Sequence, residues 1–215
     1  MTTMYQDTVK CYVCGKESKQ VALGSTNSFG FPDLDLRPPE MMRGTMECWA
    51  QECPYCGYIA ENIDLGTVVT EAWLARVEFI KANNIEFESE LAKRCYKEYL
   101  INLEDENISK AFAVILNAAW ACDDAQDIGN AVLCRNLALD LIDELIEKED
   151  DSSTLMLQKI DLLRRSNQFN KALEEFSGIF MDQDLLQDIL DFQLEKAKNH
   201  DNACYTVEDV KKSTV

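Results

Sequence analysis

Hydrophobic and polar positions divide the chain into two textures. From about residue 67 onward, apolar residues recur three and four places apart, the period at which a helix presents one face. The first helix this predicts lies near 67–83, with Trp73, Val77 and Ile80 on one stripe. The second, near 88–104, carries Leu91, Cys95, Tyr99 and Leu103; the third, near 109–125, carries Phe112, Ile115, Ala119 and Cys122. A fourth near 127–148 shows Ala131, Cys134, Ala138, Leu141 and Leu145, and three more are expected near 153–166, 168–181 and 184–199. Ser109 is placed to cap the third helix, and Ser152 or Ser153 the fifth. Each helix has an apolar face and a charged back, and the short linkers predict antiparallel neighbours. Residues 1–60 show no such period.

Composition sharpens the division. The front 60 residues hold all four Pro, five of the eight Gly and five of the nine Cys, with five basic against seven acidic side chains. Residues 61–215 have no Pro and carry nearly all of the excess in the chain's net charge of −18. About 150 residues without Pro suit a helical array. The expected fold is therefore α+β, mainly α: a small zinc-ribbon-like module over 1–60, then an all-α domain over 61–215. A charge this negative argues against nucleic acid or an anionic bilayer as partner, since both reward cationic surface. The N-terminus lacks a basic stretch leading into an apolar core, so no secretory leader is read there. The most apolar run, Ala111 to Cys122, is too short to span a bilayer. Nine cysteines in such a chain suggest a reducing, cytoplasmic setting and metal binding rather than disulfides.

The cysteines carry the clearest chemistry. Cys11-Tyr-Val-Cys14-Gly and Cys53-Pro-Tyr-Cys56-Gly-Tyr are two Cys-x-x-Cys knuckles, each with Gly directly after the second Cys, and 38 residues lie between them. In a tight turn, residues i and i+3 aim both sulfurs at one point, and the Gly permits the positive φ that closes it. Cys11, Cys14, Cys53 and Cys56 together offer four thiolates to one tetrahedral structural Zn(II), iron being the lesser alternative. Four thiolates leave no open coordination position, so the metal is expected to be structural. Cys48 is read as part of a strand leading into the second knuckle. Cys95, Cys122 and Cys134 lie on apolar helical stripes and read as core. His200 and Cys204 make too few ligands for a second site and read as surface tail.

The segment between the knuckles, Thr26 to Arg43, mixes Phe29, Phe31, Asp33, Asp35, Arg37 and Arg43 with Pro. As a recognition loop it would offer Arg37 or Arg43 to a carboxylate or phosphate and Phe29 to an apolar group, with Asp33 and Asp35 in the same candidate site. Alternatively, Asp33 or Asp35 pairs internally with arginine while Phe29, Leu34 and Leu36 dock on the helices. No phosphate-binding loop, nucleophile elbow or His-Glu-x-x-His helix occurs, and the single His sits in the tail. No catalytic residue is assigned, and a non-enzymatic role is expected.

Phe169-x-x-Ala172-x-x-x-Phe176-x-x-Ile179 resembles the second half of a tetratricopeptide unit, and Ile128-x-x-Ala131-x-x-x-Arg135-x-x-Ala138 is a weaker copy 41 residues earlier. Cys-x-x-Cys-Gly at the front, Glu52-Cys-Pro-Tyr-Cys-Gly-Tyr-Ile-Ala60, Asn117-Ala-Ala-Trp120 and this hairpin together resemble an uncharacterised bacterial family, catalogued only as a domain of unknown function. The resemblance implies a bacterial cytosolic zinc protein with a helical repeat tail. The function expected is that of an interaction or scaffold protein binding a protein or peptide, with neither nucleic acid nor membrane as partner. The alternative is a small-ligand protein or enzyme using a pocket between the 26–43 loop and the helices.

Overall fold

A computed structural model describes residues 1–76, 79–80 and 84–213. It is mainly helical with two small antiparallel sheets. Strands β1 (Thr3–Lys10) and β2 (Glu17–Ser25) form a hairpin in which Lys10 faces Glu17 and Met4 faces Leu23. A 3-10 helix over Arg43–Cys48 precedes β3 (Gln51–Glu52), which pairs with β4 (Ile59–Ala60). Helices follow: α1 (Glu71–Leu74), α2 (Glu90–Glu104), α3 (Ile108–Asp124), α4 (Ile128–Lys148), α5 (Ser153–Arg165), α6 (Phe169–Phe176), α7 (Asp184–Lys198) and α8 (Val207–Ser213). Of these, α8 lies where the hydrophobic period gave no helix. Among the described residues no helix is long and apolar enough to cross a membrane.

The chain divides into two compact units, and the division does not follow the change in composition at residue 60. The first unit comprises Met1–Ser28 and Glu40–Cys134; the second comprises Phe29–Pro39 and Arg135–Val215. The physical reason lies in the burial. One apolar core joins Cys11, Cys53, Tyr58, Ile59 and Ile63 of the knuckle region to Val69, Leu74, Phe79 and Ile101. Helix α2 packs on β4, and Lys97 of α2 reaches Glu52 of β3 at 2.7 Å. The front module thus has the first helices as its floor.

Three helix pairs, α2–α3, α3–α4 and α5–α6, are joined by three residues each. Each preceding helix stops the same way, on a residue of positive φ that is not Gly: Glu106, Gln126 and Asn167. The amide after it reaches back to a helical carbonyl, as Asn107 N–H to Asn102 O, Asp127 N–H to Cys122 O and Gln168 N–H to Leu163 O. This αL stop is the one glycine usually takes, and in α2–α3 and α5–α6, whose helices pack on each other, the three-residue connection returns the chain antiparallel. Helix α7 ends on His200 by the same device.

Details of several helices depart from the pattern in the sequence. Asn107, not Ser109, caps α3 by accepting from the amide of Lys110. Ser152 is the N-cap of α5 without a side-chain capping bond; the Asp151 carboxylate takes the Ser153 amide instead. The sixth helix ends at Phe176 rather than near 181, because Gly178 turns the chain at φ 98°. In the first stripe, Phe79 is buried while Ile80 is exposed, and Val77 lies outside the described residues.

Candidate metal centre

Each knuckle is built by its own backbone. In the first, the Cys11 amide donates to Lys16 O and Gly15 N–H donates back to Cys11 O, both at 2.9 Å. In the second, the Cys53 amide donates to Tyr58 O and Gly57 N–H to Cys53 O, at 2.8 and 2.9 Å. Gly15 and Gly57 have φ of 70° and 75°, which a side chain would resist. Two turns of the same construction thus present their sulfurs identically. They are brought together by further bonds: Tyr12 N–H to Ile63 O, Gln20 Nε2 to Glu52 O, and Ile63 N–H to Gln51 Oε1.

The result is a four-sulfur cluster. Cys11 Sγ lies 3.7 Å from Cys56 Sγ and Cys14 Sγ 3.6 Å from Cys53 Sγ, and all four lie within 4.8 Å of one another. A tetrahedron with metal–sulfur bonds of about 2.3 Å has edges of about 3.8 Å, so these separations fit one metal ion. They are too long for disulfides, and all nine cysteines are free thiols. Among the described residues, no other group of three or more His, Cys, Asp or Glu side chains brings its ligand atoms together in this way. Cys11 and Cys53 are buried, Cys14 and Cys56 half-buried.

The electrostatics of the bare thiols match such a site. Burial pushes the Cys56 and Cys11 thiols upward. At Cys53 burial also acts upward, but the amides of Tyr55 and Cys56 and the thiols of Cys14 and Cys56 outweigh it and lower the thiol. Cys53 thus ionises more readily than Cys11 or Cys56. A divalent cation reverses that resistance by stabilising every thiolate it binds.

The remaining sequence candidates are placed elsewhere. Cys48 closes the 3-10 helix instead of entering a strand, and its Sγ lies 3.6 Å from Met4 Sδ, outside the cluster. Cys95, Cys122 and Cys134 are buried core residues, as their stripes imply. His200 stacks on Phe169, their ring centroids 5.0 Å apart. The segment around Cys204 is anchored rather than a loose tail: Arg164 donates to Asp201 O and Ala203 O, Leu34 N–H to Tyr205 O, and Val207 N–H to Pro32 O.

The segment between the knuckles splits between the units. Arg43 is half-buried at the start of the 3-10 helix in the first unit. Phe29, Asp33, Asp35 and Arg37 belong to the second. Asp35, 1% exposed, accepts from Arg165 at 3.0 Å through Oδ2 and from the Arg37 amide through Oδ1, while its carbonyl accepts from Gln158 Nε2. Asp33 and Arg37 are also buried. Phe29 and Leu36 stay exposed, whereas Leu34 is buried. The Asp35 carboxylate enters an internal contact with Arg165 of α5, as in the alternative reading of this segment. A cavity of about 490 Å³ in the second unit is lined by Asn136, Asp140, Asp143, Ser166 and Lys171 rather than by this segment.

Glu98 is a chemically distinct residue that the sequence pattern hides among solvated charges. It is 1% exposed on α2, at a cavity of about 210 Å³ shared with Tyr58, Asn102, Asp105 and Lys110. Among the described residues its Oε1 has no hydrogen-bond partner. Burial, more than any neighbour, pushes its carboxyl from 4.5 up to about 7. The unfolded chain loses this proton near 4.5 and the folded chain near 7, so stability falls as pH rises between those values and stays reduced above them. At about 1.4 kcal/mol per pH unit, Glu98→Gln should stabilise the protein by about 3 kcal/mol above pH 7. Urea unfolding at pH 5 and pH 8 checks this: the wild type should lose more stability between the two than the variant.

No family model matches the chain, nor does any curated protein or solved structure.

Proposed function

We propose that the protein is a non-enzymatic zinc-binding scaffold, in which one structural Zn(II) held by Cys11, Cys14, Cys53 and Cys56 fixes the first unit and the helical hairpins serve a protein or peptide partner. The observation that carries the metal part is the gathering of four sulfurs within 4.8 Å of one another. Full thiolate ligation offers no position to a substrate, which is why the ion is given a structural task. The likeness to tetratricopeptide hairpins draws support from burial: Ala172, Phe169 and Phe176 are all core, as are Ala131 and Ala138. Arg135, standing where the weaker copy lacks its aromatic, is itself buried. The three repeated three-residue connections agree with stacked hairpins. This is the zinc protein with a helical tail that the resemblance to a bacterial family implies.

Elemental analysis of protein purified under reducing conditions without chelator should find one zinc per chain. Finding neither zinc nor iron would remove the basis of the reading. The interaction role is tested by affinity capture followed by calorimetry with the captured partner; no specific partner and no binding heat would count against it.

A further inference from the structure

Strand β1 of the hairpin is exposed along nearly its whole length, whereas β2 buries Gln20 and half-buries Ser18, Ala22 and Leu23. In β1 only Val9 is even half-buried, and Met4 and Tyr5 are 48% and 53% exposed. A two-stranded ribbon in water is marginal without a third strand or a covered face. The open edge can be read residue by residue. The Cys11 amide donates to Lys16 O directly across the register. Alternation then turns the backbone groups of Tyr5, Asp7 and Val9 toward β2, and those of Met4, Gln6, Thr8 and Lys10 outward. The Thr8 amide indeed donates at 2.8 Å to the side chain of Asp7 on its own strand.

We propose that this edge pairs antiparallel with β1 of a second copy of the chain, across a two-fold axis at Gln6, to give a four-stranded sheet. Outward-facing residues must meet outward-facing residues, which leaves two registers that engage nearly the whole strand. An axis at Asp7 sets two carboxylates face to face. An axis at Gln6 sets Met4 against Thr8, Tyr5 against Asp7 and Thr3 against Val9, with no like charges opposed. Like charges directly opposite destabilise a sheet pair, so the second register is favoured. Charge also selects this surface for self-association. The hairpin carries Lys10, Lys16 and Lys19 against Asp7 and Glu17, whereas the chain as a whole has a net charge of −18. It is a segment on which two copies can approach without the repulsion that the acidic helices impose. A symmetric pair of this kind closes on itself and leaves the outer edges of β1 satisfied.

The test is sedimentation of the 215-residue chain over a dilution series, with hydrogen exchange of the β1 amides. A reversible dimer is expected, with the amides of Met4, Gln6 and Thr8 protected at high concentration and released on dilution. Gln6→Pro removes an outward amide that β2 does not use, and should abolish the dimer while metal content and far-UV dichroism stay unchanged. Gln6→Lys keeps an ordinary exposed side chain in the monomer but opposes two charges on the axis. It should weaken association about fivefold, and mixing it with Gln6→Glu should restore the dimer. A monomer at every concentration, or a dimer indifferent to both Gln6→Pro and Gln6→Lys, overturns the proposal.

Discussion

Cys53→Ser should lose the bound metal and open the first unit, with the second left folded. Structural Zn(II) contributes on the order of 10–16 kcal/mol in small finger peptides near neutral pH, whereas the core of a short module supplies only a few kcal/mol. Serine cannot replace the thiolate, and the three remaining sulfurs would be held close without a cation to offset them. The damage should reach beyond the knuckles, because Cys11 and Cys53 share their core with Ile101 of α2 and with Phe79. Limited proteolysis is the sharpest readout. Residues 1–28 and 40–76 should become cleavable. The stretch 29–39, although it lies between the knuckles in sequence, should stay protected, since Asp35 is held by Arg165 and Gln158. Loss of protection over 29–39 together with the knuckles would refute the separation into these two units, and retention of metal by the variant would refute the four-thiolate site.

The same contrast shows what a sequence can disclose here. A chelating turn is local: the ligands sit at i and i+3, the Gly follows, and both are written in five consecutive residues. The helices α2 to α7 are likewise legible, because their burial follows a short period. What escapes is any partnership over long separation between polar groups. For Asp33, Asp35 and Arg37 the sequence leaves a recognition loop and an internal ion pair side by side, and it does not name the partners, because those of Asp35 lie 123 and 130 residues away. Glu98 and Arg164 are charged side chains for which the sequence shows no partner, yet both are buried, as is Arg135 at the aromatic position of the weaker copy. Caps shift by a residue or two for a related reason: Asn107 and Ser109 are both competent acceptors, and only the entry angle into α3 selects Asn107.

Arg164→Met should destabilise the second unit by about 3–5 kcal/mol, the range for stranding one member of a buried ion pair. The Arg164 side chain is fully buried. Its Nη2 donates to Asp161 Oδ1 at 2.6 Å, and its Nη1 donates to the carbonyls of Asp201 and Ala203 at 3.0 and 2.6 Å. Its guanidinium also lies 5.4 Å from the ring centroid of Tyr205. Methionine fills much of the volume but supplies none of the donors, so Asp161 Oδ1 loses its guanidinium donor and the carbonyls of Asp201 and Ala203 lose theirs. Since Leu34 donates to Tyr205 O and Val207 to Pro32 O, slack in the 201–205 segment should pass to both strands of that contact. The amides of Leu34 and Val207 should therefore lose hydrogen-exchange protection before those of α5. Among the described residues neither Asp161 Oδ2 nor Arg164 Nε has a hydrogen-bond partner, so the pair is incompletely satisfied and most of its apparent worth is the penalty of separating it. Adding Asp161→Asn to Arg164→Met should then recover part of the lost stability. A single variant that loses less than about 1 kcal/mol, or a double variant no more stable than the single, would show that this ion pair does not anchor the segment.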